Sequence, residues 1–174
     1  MALTTTTIGS YPKPAYVAIP DMFQDRVETM KNPTRSYAEA VRALGADAEA
    51  VFARGTREAV LDQVGAGVDI PTDGEIRREN YIHYHCRHIA GIDFGELTLT
   101  RVRDGAYADA LFPTITGPVG AGAPFLAHDW KVAQSFTERP VKITGPGPMT
   151  IGETIADAHY GDSRRRDAAL AEAV

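Results

Sequence analysis

The apolar positions of this chain follow two alternating patterns. Short β-branched runs end in turn residues, and longer stretches between them repeat apolar side chains at helical spacing. The first run, TTTTIGSYP at residues 4–12, is β-branched up to Ile8, turns at Gly9 and Ser10 and stops at Pro12. It predicts a short strand and a loop. Residues 13–34 hold Pro14, Pro20 and Pro33 and read as irregular, with a brief helix over 20–30. From Ser36 the chain is rich in Ala, Glu and Arg, with Phe52, Ala59, Val60 and Val64 on one helical stripe. Gly65 and Gly67 close that helix.

VDIPTDGE (68–75) follows as a buried strand with its loop, and residues 77–90 read as a helix stopped by Gly91. Residues 94–107 alternate polar and apolar side chains around Asp104 and Gly105, a hairpin signal. LFPTITGPV (111–119) reads as a strand, PFLAHDWKVAQSF (124–136) as a helix, and PVKITGPGP (140–148) as a strand and loop. Helix then runs from Met149 to Val174. No segment repeats at a fixed period of roughly 20–50 residues. Strands alternating with helices in this order predict a parallel sheet covered by helices.

The four predicted strands end in IGSYP, PTDGE, TGPV and TGPGP, all polar or glycine-rich. In α/β folds such loops gather at the C-terminal end of the sheet, where ligands bind. A complete (β/α)8 barrel takes about 250 residues. Four units in 174 residues, ending in the good helix formers AALAEAV, predict the first half of one.

Composition narrows the partners. A net charge of −5 argues against nucleic acid, whose phosphates call for clustered Lys and Arg. The basic run Arg164, Arg165 and Arg166 sits among Asp162, Asp167 and Glu172 and reads as a solvated helix face. The apolar runs are shorter than the ~20 residues a membrane span needs. The opening MALTTTTIGS lacks the features of a signal peptide. The single cysteine, Cys86, excludes an internal disulfide and suits a reducing, cytoplasmic setting.

YIHYHCRHIAG (81–91) has the residue types of a metal site. At about 100° per residue, His85 and His88 lie about 60° apart on a helix, as do His83 and Cys86, and the two pairs point to different sides. A zinc ion needs three or four converging ligands. The expectation is a structural helix with Cys86 and Ile89 packed inward and no metal ligands in this chain. GPGPMTI (145–151) lacks the Lys-Ser/Thr of a phosphate loop, and Pro146 and Pro148 supply no N–H donors. It reads as a rigid loop at a pocket floor.

TIGSYP on the first strand, AGVDIPTDGEIRREN on the second and PVKITGPGPMTI on the fourth resemble the catalytic barrel of the cobalamin-independent methionine synthase family. HIAGIDF (88–94) and FLAHDWKVAQSFTERPVK (125–142) fit the same pattern, so the resemblance runs from about Thr4 to Ile155. It implies one (β/α)8 TIM-barrel domain, of which residues 1–174 are the N-terminal half with a β-hairpin insertion near 94–107. It also implies zinc-dependent transfer of a methyl group to the thiol of homocysteine, giving methionine. The family's zinc ligands, a histidine, two cysteines and a glutamate, come from later strands. For this chain it implies substrate contacts at Ile8, Gly9 and Ser10, whose backbone would take the amino acid's carboxylate. Glu75 would take the ammonium group, with Arg78 at the pocket and Asp73 as a helix-start acid.

Folate-dependent members carry an Arg-Cys pair before the third strand and a Trp after the GPxT-like loop. Here AYADALFP (106–113) and TIGETIAD (150–157) stand instead, with Thr154 near the expected Trp. The methyl donor therefore stays open between 5-methyltetrahydrofolate and a corrinoid. A barrel like the uroporphyrinogen decarboxylases would need clustered Arg at the first strand end, where IGSYPKP offers only Lys13. A non-catalytic half-barrel binding module is the other reading. The parallel edges near Thr6 and Ile143 predict either a homo-oligomer or a missing C-terminal half.

Overall fold

The computed structural model describes residues 3–20, 33–100 and 110–174. The chain has an α/β fold in which three short segments run parallel. Thr6 bridges Ile70, and Thr72 bridges Lys142, which puts the second segment between the first and the third. The loops IGSYP, PTDGE and TGPGP leave these segments at the same end.

The ladder between the first two segments is short because a side chain interrupts it. Ile70 N–H donates to the Thr5 carbonyl at 3.0 Å. In a regular parallel ladder Thr72 N–H would next reach the Thr7 carbonyl. Gln63, buried on α2 (Ala48–Gly65), takes that rung. Its amide oxygen accepts from Thr72 N–H at 2.9 Å and from the Thr7 hydroxyl at 2.7 Å. Its amide nitrogen donates to the carbonyls of Thr72 at 3.0 Å and Ala59 at 2.9 Å. The Thr7 carbonyl thus released accepts from the Lys142 ammonium at 2.6 Å.

Helix α1 (Pro33–Leu44) and α2 are joined by one 3-10 turn, Gly45–Asp47. Phe52, Gly55, Thr56, Ala59, Val60 and Gln63 make the buried face of α2; Phe52, Ala59 and Val60 lie on the predicted stripe, while Val64 is half-buried. Phe52 and Ala59 pack with Val17, Ile19, Tyr37, Ile76 and Tyr84 in a first core. Residues 20–30, predicted as a brief helix, lie almost wholly outside the described residues.

The helix predicted over 77–90 is shorter, α3 (Tyr81–Cys86). The Asn80 side chain accepts from the N–H groups of Ile82 and His83 at 2.9 and 2.7 Å, and this N-cap sets the start. The chain enters β1 (Ile89–Thr100) three residues after the helix ends. β1 pairs antiparallel with β2 (Ala110–Ala121), from Ile89 opposite Ala121 to Thr100 opposite Ala110. Residues 111–119, predicted as the third parallel strand, are therefore the return arm of this pair. Among the described residues the isolated parallel bridges join three segments, and residues 114–115 also pair parallel with residues 156–157. The alternation over 94–107 marks the pairing but underestimates its length, and Asp104 and Gly105 lie outside the described residues. Gly91, at φ +85°, sits at a register shift where a Cβ would come within 2.4 Å of the Pro118 carbonyl oxygen.

Helix α4 (Leu126–Gln134) falls inside its predicted span. The single helix predicted from Met149 is divided into α5 (Pro148–Gly152), the two-residue β3 (Ala156–Asp157) beside β2, and α6 (Ser163–Ala173). Two aspartates make the break. The Asp157 carboxylate accepts from the N–H groups of His159, Tyr160 and Gly161 at 3.0, 2.9 and 3.2 Å. Asp162 then caps α6 by accepting from Arg165 N–H at 2.9 Å. Arg164 and Arg165 are exposed, and Arg166 pairs with Asp167 at 2.8 Å. Cys86, Ile89, Ile115, Ile151, Ile155 and Leu170 form a second core. Among the described residues no helix is long and apolar enough to cross a membrane.

Gln63→Leu keeps the volume but leaves the buried N–H and C=O of Thr72 without partners. The expected loss is roughly 1–3 kcal/mol of folding stability, read as a lower urea midpoint. An unchanged midpoint would show that the ladder closes by itself once Gln63 is gone.

Candidate active site

Three loop ends meet around the Glu75 carboxylate. The Ser10 hydroxyl donates to its Oε2, and the Thr144 hydroxyl donates to its Oε1 at 2.6 Å. Arg78 Nη1 lies 3.8 Å from the same Oε1. Ser10 comes from the first parallel segment's loop, Glu75 from the second and Thr144 from the third. Gly9 is needed for this approach, because a Cβ there would sit 2.5 Å from Glu75 Oε1. Ile8 is 94% exposed beside it, and the Ile8, Gly9 and Ser10 amides donate to no acceptor among the described residues.

The Glu75 backbone is in the left-handed region at φ +53°, directly after Gly74 at φ +71°. A non-glycine residue seldom adopts that conformation unsupported. Four bonds hold it. Glu75 N–H donates to Asp73 Oδ1 at 3.2 Å, and Gly74 N–H to the Thr72 hydroxyl at 3.3 Å. Tyr11 N–H donates to the Gly74 carbonyl at 2.9 Å, and Arg78 N–H to the Glu75 carbonyl at 3.0 Å.

The two arginines of IRREN serve different sides. Arg78, expected at the pocket, is only 1% exposed, and its guanidinium is taken up inside the protein. Nη1 donates to the Thr144 carbonyl at 2.8 Å and Oγ1 at 3.2 Å, and Nη2 meets Asp73 Oδ2 at 3.3 Å. Arg77 turns to the helices, donating to both oxygens of Glu49 at 2.8 and 2.6 Å, with Asp129 at 3.5 Å. Burial pushes the Asp73 carboxyl above its ordinary range against the opposing pull of Arg78. Asp73 reaches Arg78 as well as its local turn, a wider role than a helix-start acid. Thr144 was not read from the sequence as a site residue, although a hydroxyl at the last position before GPGP signals a strand-end donor.

The histidines face different neighbours. His83 packs edge-on against Phe112, while His88 stacks on Phe125 at 3.9 Å. His85 Nδ1 lies 2.6 Å from the Tyr81 carbonyl, so Nδ1 carries the proton and the buried Nε2 is a bare acceptor without a partner. Burial holds His83 and His85 down to about 4 and pushes the Cys86 thiol up to about 12. Among the described residues no three His, Cys, Asp or Glu side chains come together as a metal set. A cavity of about 230 Å³ beside His85, His88 and Phe125 is bounded by Ala173 and Val174, away from Glu75. Taken together, the arrangement at Glu75 can hold a cation against a buried carboxylate, with free amides from the next loop beside it.

The depressed histidines have a signed consequence. An unfolded histidine takes a proton near its ordinary value of 6.5, whereas folded His85 resists until about 4. Its contribution is present above pH 6.5 and lost as pH falls through that window. His85→Phe should therefore flatten the fall in stability between pH 6.5 and 4. Equal slopes in chemical unfolding of the two proteins would contradict the burial of a neutral imidazole.

Comparison with known proteins adds the family context. Residues 3–174 match the family described as "Cobalamin-independent synthase, Catalytic domain". A methionine synthase of Saccharolobus solfataricus is 30% identical over 174 residues, covering 99% of this chain and 47% of that protein. A 5-methyltetrahydropteroyltriglutamate–homocysteine methyltransferase of Acidithiobacillus ferrooxidans is 30% identical over 150 residues, covering 86% of this chain and 17% of that protein. The B12-independent methionine synthase of Shewanella sp. W3-18-1, solved in complex with selenomethionine, superposes with a TM-score of 0.78 at 29% identity, covering 97% of this chain and 45% of that one. The chain thus spans less than half the length of these relatives.

Proposed function

The chain belongs to the cobalamin-independent methionine synthase family, and from that premise we propose that it is the part of a homocysteine methyltransferase barrel that grips the amino-acid end of homocysteine. The observation that carries this reading is the Glu75 carboxylate, held by hydroxyls from two other loops. An ammonium group is the natural partner for such a carboxylate. The free amides of Ile8, Gly9 and Ser10 suit the substrate's carboxylate, and Gly9 lets the backbone approach closely. That a relative was solved with selenomethionine, an amino acid of the product's shape, supports the same assignment. In the whole protein the homocysteine thiol would give its proton to solvent or a base, and its sulfur would form a bond to the methyl carbon as that carbon's bond to the donor breaks, the electron pair leaving with the donor. Residues beyond this chain would complete the barrel.

The family resemblance implies zinc with its ligands on later strands, and the described residues themselves do not fit a zinc set. Cys86 is fully buried with its thiol pushed up to about 12, and the histidines around it diverge. Thr154 offers no ring face for a pterin to stack on, and its hydroxyl donates to the Thr150 carbonyl at 2.7 Å, so the methyl donor is either a folate bound by other residues or a corrinoid. The decarboxylase-like alternative gains little from Lys13, which is 7% exposed.

Glu75→Gln in the full-length polypeptide should weaken homocysteine binding by roughly 1.5–3 kcal/mol, the worth of a hydrogen bond to a charged group. Isothermal titration measures it. Unchanged affinity would reduce Glu75 to an organiser of its own loop.

A further inference from the structure

We propose that Asp73 is a positioning residue for the amino-acid substrate, aiming the Glu75 carboxylate without touching the ligand. The inference rests on the reading of Glu75 as the ammonium anchor and adds how that anchor is held. Asp73 is 2% exposed and has no route to a bound molecule. Its two oxygens nevertheless act on Glu75 by separate paths. Oδ1 accepts from Glu75 N–H at 3.2 Å, closing the turn that keeps Glu75 at φ +53°. Oδ2 meets Arg78 Nη2 at 3.3 Å, and Arg78 Nη1 holds the Thr144 carbonyl at 2.8 Å. Thr144 in turn donates to Glu75 Oε1 at 2.6 Å. Backbone and carboxylate of Glu75 are thereby fixed from the same side chain.

Left-handed backbone at a buried glutamate survives only where its surroundings impose it. Without the Oδ1 bond, the one side-chain bond to Glu75's own N–H among the four that hold the turn, Glu75 is held less firmly against a swing toward φ below zero. That swing carries the carboxylate away from Ser10 and Thr144. The conservative exchange Asp73→Asn keeps an acceptor for Glu75 N–H, whereas Asp73→Ala and Asp73→Ser remove or shorten it. A residue that served only general stability would weaken binding whether or not Glu75 is present. A positioning residue acts through Glu75 and falls silent without it.

The test is a double-mutant cycle on homocysteine binding in the full-length polypeptide, read by titration calorimetry. Asp73→Ala should weaken binding about tenfold or more, the scale of one lost hydrogen bond. In a Glu75→Ala background the same change should cost less than about twofold, showing strong coupling. Asp73→Asn should return to within about threefold of the wild type. If Asp73→Ala does not fold, the contrast of Asp73→Ser with Asp73→Asn carries the test, with only Ser expected to lose binding. Equal losses in the two backgrounds, or no loss at all, overturn the role of Asp73 alone. A Glu75→Ala protein that binds as well as the wild type overturns the anchor reading and this inference together.

Discussion

One guanidinium sets the terms for this molecule. Arg78 is 1% exposed and carries a full charge that no water reaches. A buried ion unmatched by partners costs several kcal/mol, so the chain must bring anionic and carbonyl oxygens to it. They come from two segments: Asp73 and Glu75 from the second parallel segment's loop, and the Thr144 carbonyl and hydroxyl from the third. Separating these loops would strand the charge. The requirement that neutralises Arg78 is thus the same one that places a carboxylate at the end of the sheet. Stability and substrate recognition draw on one set of bonds.

The neighbouring Arg77 extends this logic outward. It pairs with Glu49 at the start of α2 and with Asp129 on α4, and Asp129 also accepts from the Tyr84 hydroxyl at 3.0 Å. The Arg77 carbonyl accepts from the buried Tyr37 hydroxyl at 2.8 Å. Adjacent residues of one short loop therefore brace both the ligand end of the sheet and the helices behind it. The loop is rigid because both of its neighbourhoods are hydrogen-bonded, and a rigid carboxylate suits recognition better than a mobile one.

Local chemistry was legible in the sequence where a residue acts on its near neighbours. The turn at Gly65 and Gly67, the position of α4 and the loops IGSYP, PTDGE and TGPGP follow from spacing and turn residues, whereas TGPV lies inside β2. The family motifs added the meeting of IGS with DGE. What escaped reading depends on distant partners. Residues 111–119 have the β-branched look of any buried strand, and nothing local says that they pair antiparallel with 89–100. Asp157 and Asp162 interrupt good helix formers through bonds to backbone N–H groups, a capping effect that outweighs propensity. Arg78 looks like a ligand-facing cation in sequence. Its contacts with Asp73 and Thr144 are set by the fold and are not visible in the local sequence.

The two cores meet at α3. Tyr84 belongs to the core under α1 and α2, while Cys86, two residues on, belongs to the core shared by β1, β2, α5 and α6. A six-residue helix is too short to persist by itself. Its existence depends on both bodies, and each body is anchored to the other partly through it. Loosening on either side removes a wall from α3, so disorder beginning in one core has a direct route into its neighbour. Two hydrophobic bodies that could have come apart as separate cooperative units are joined by a single helical turn and a half and by Arg87 just after it, whose guanidinium lies over Tyr37 of one and Phe94 beside the other.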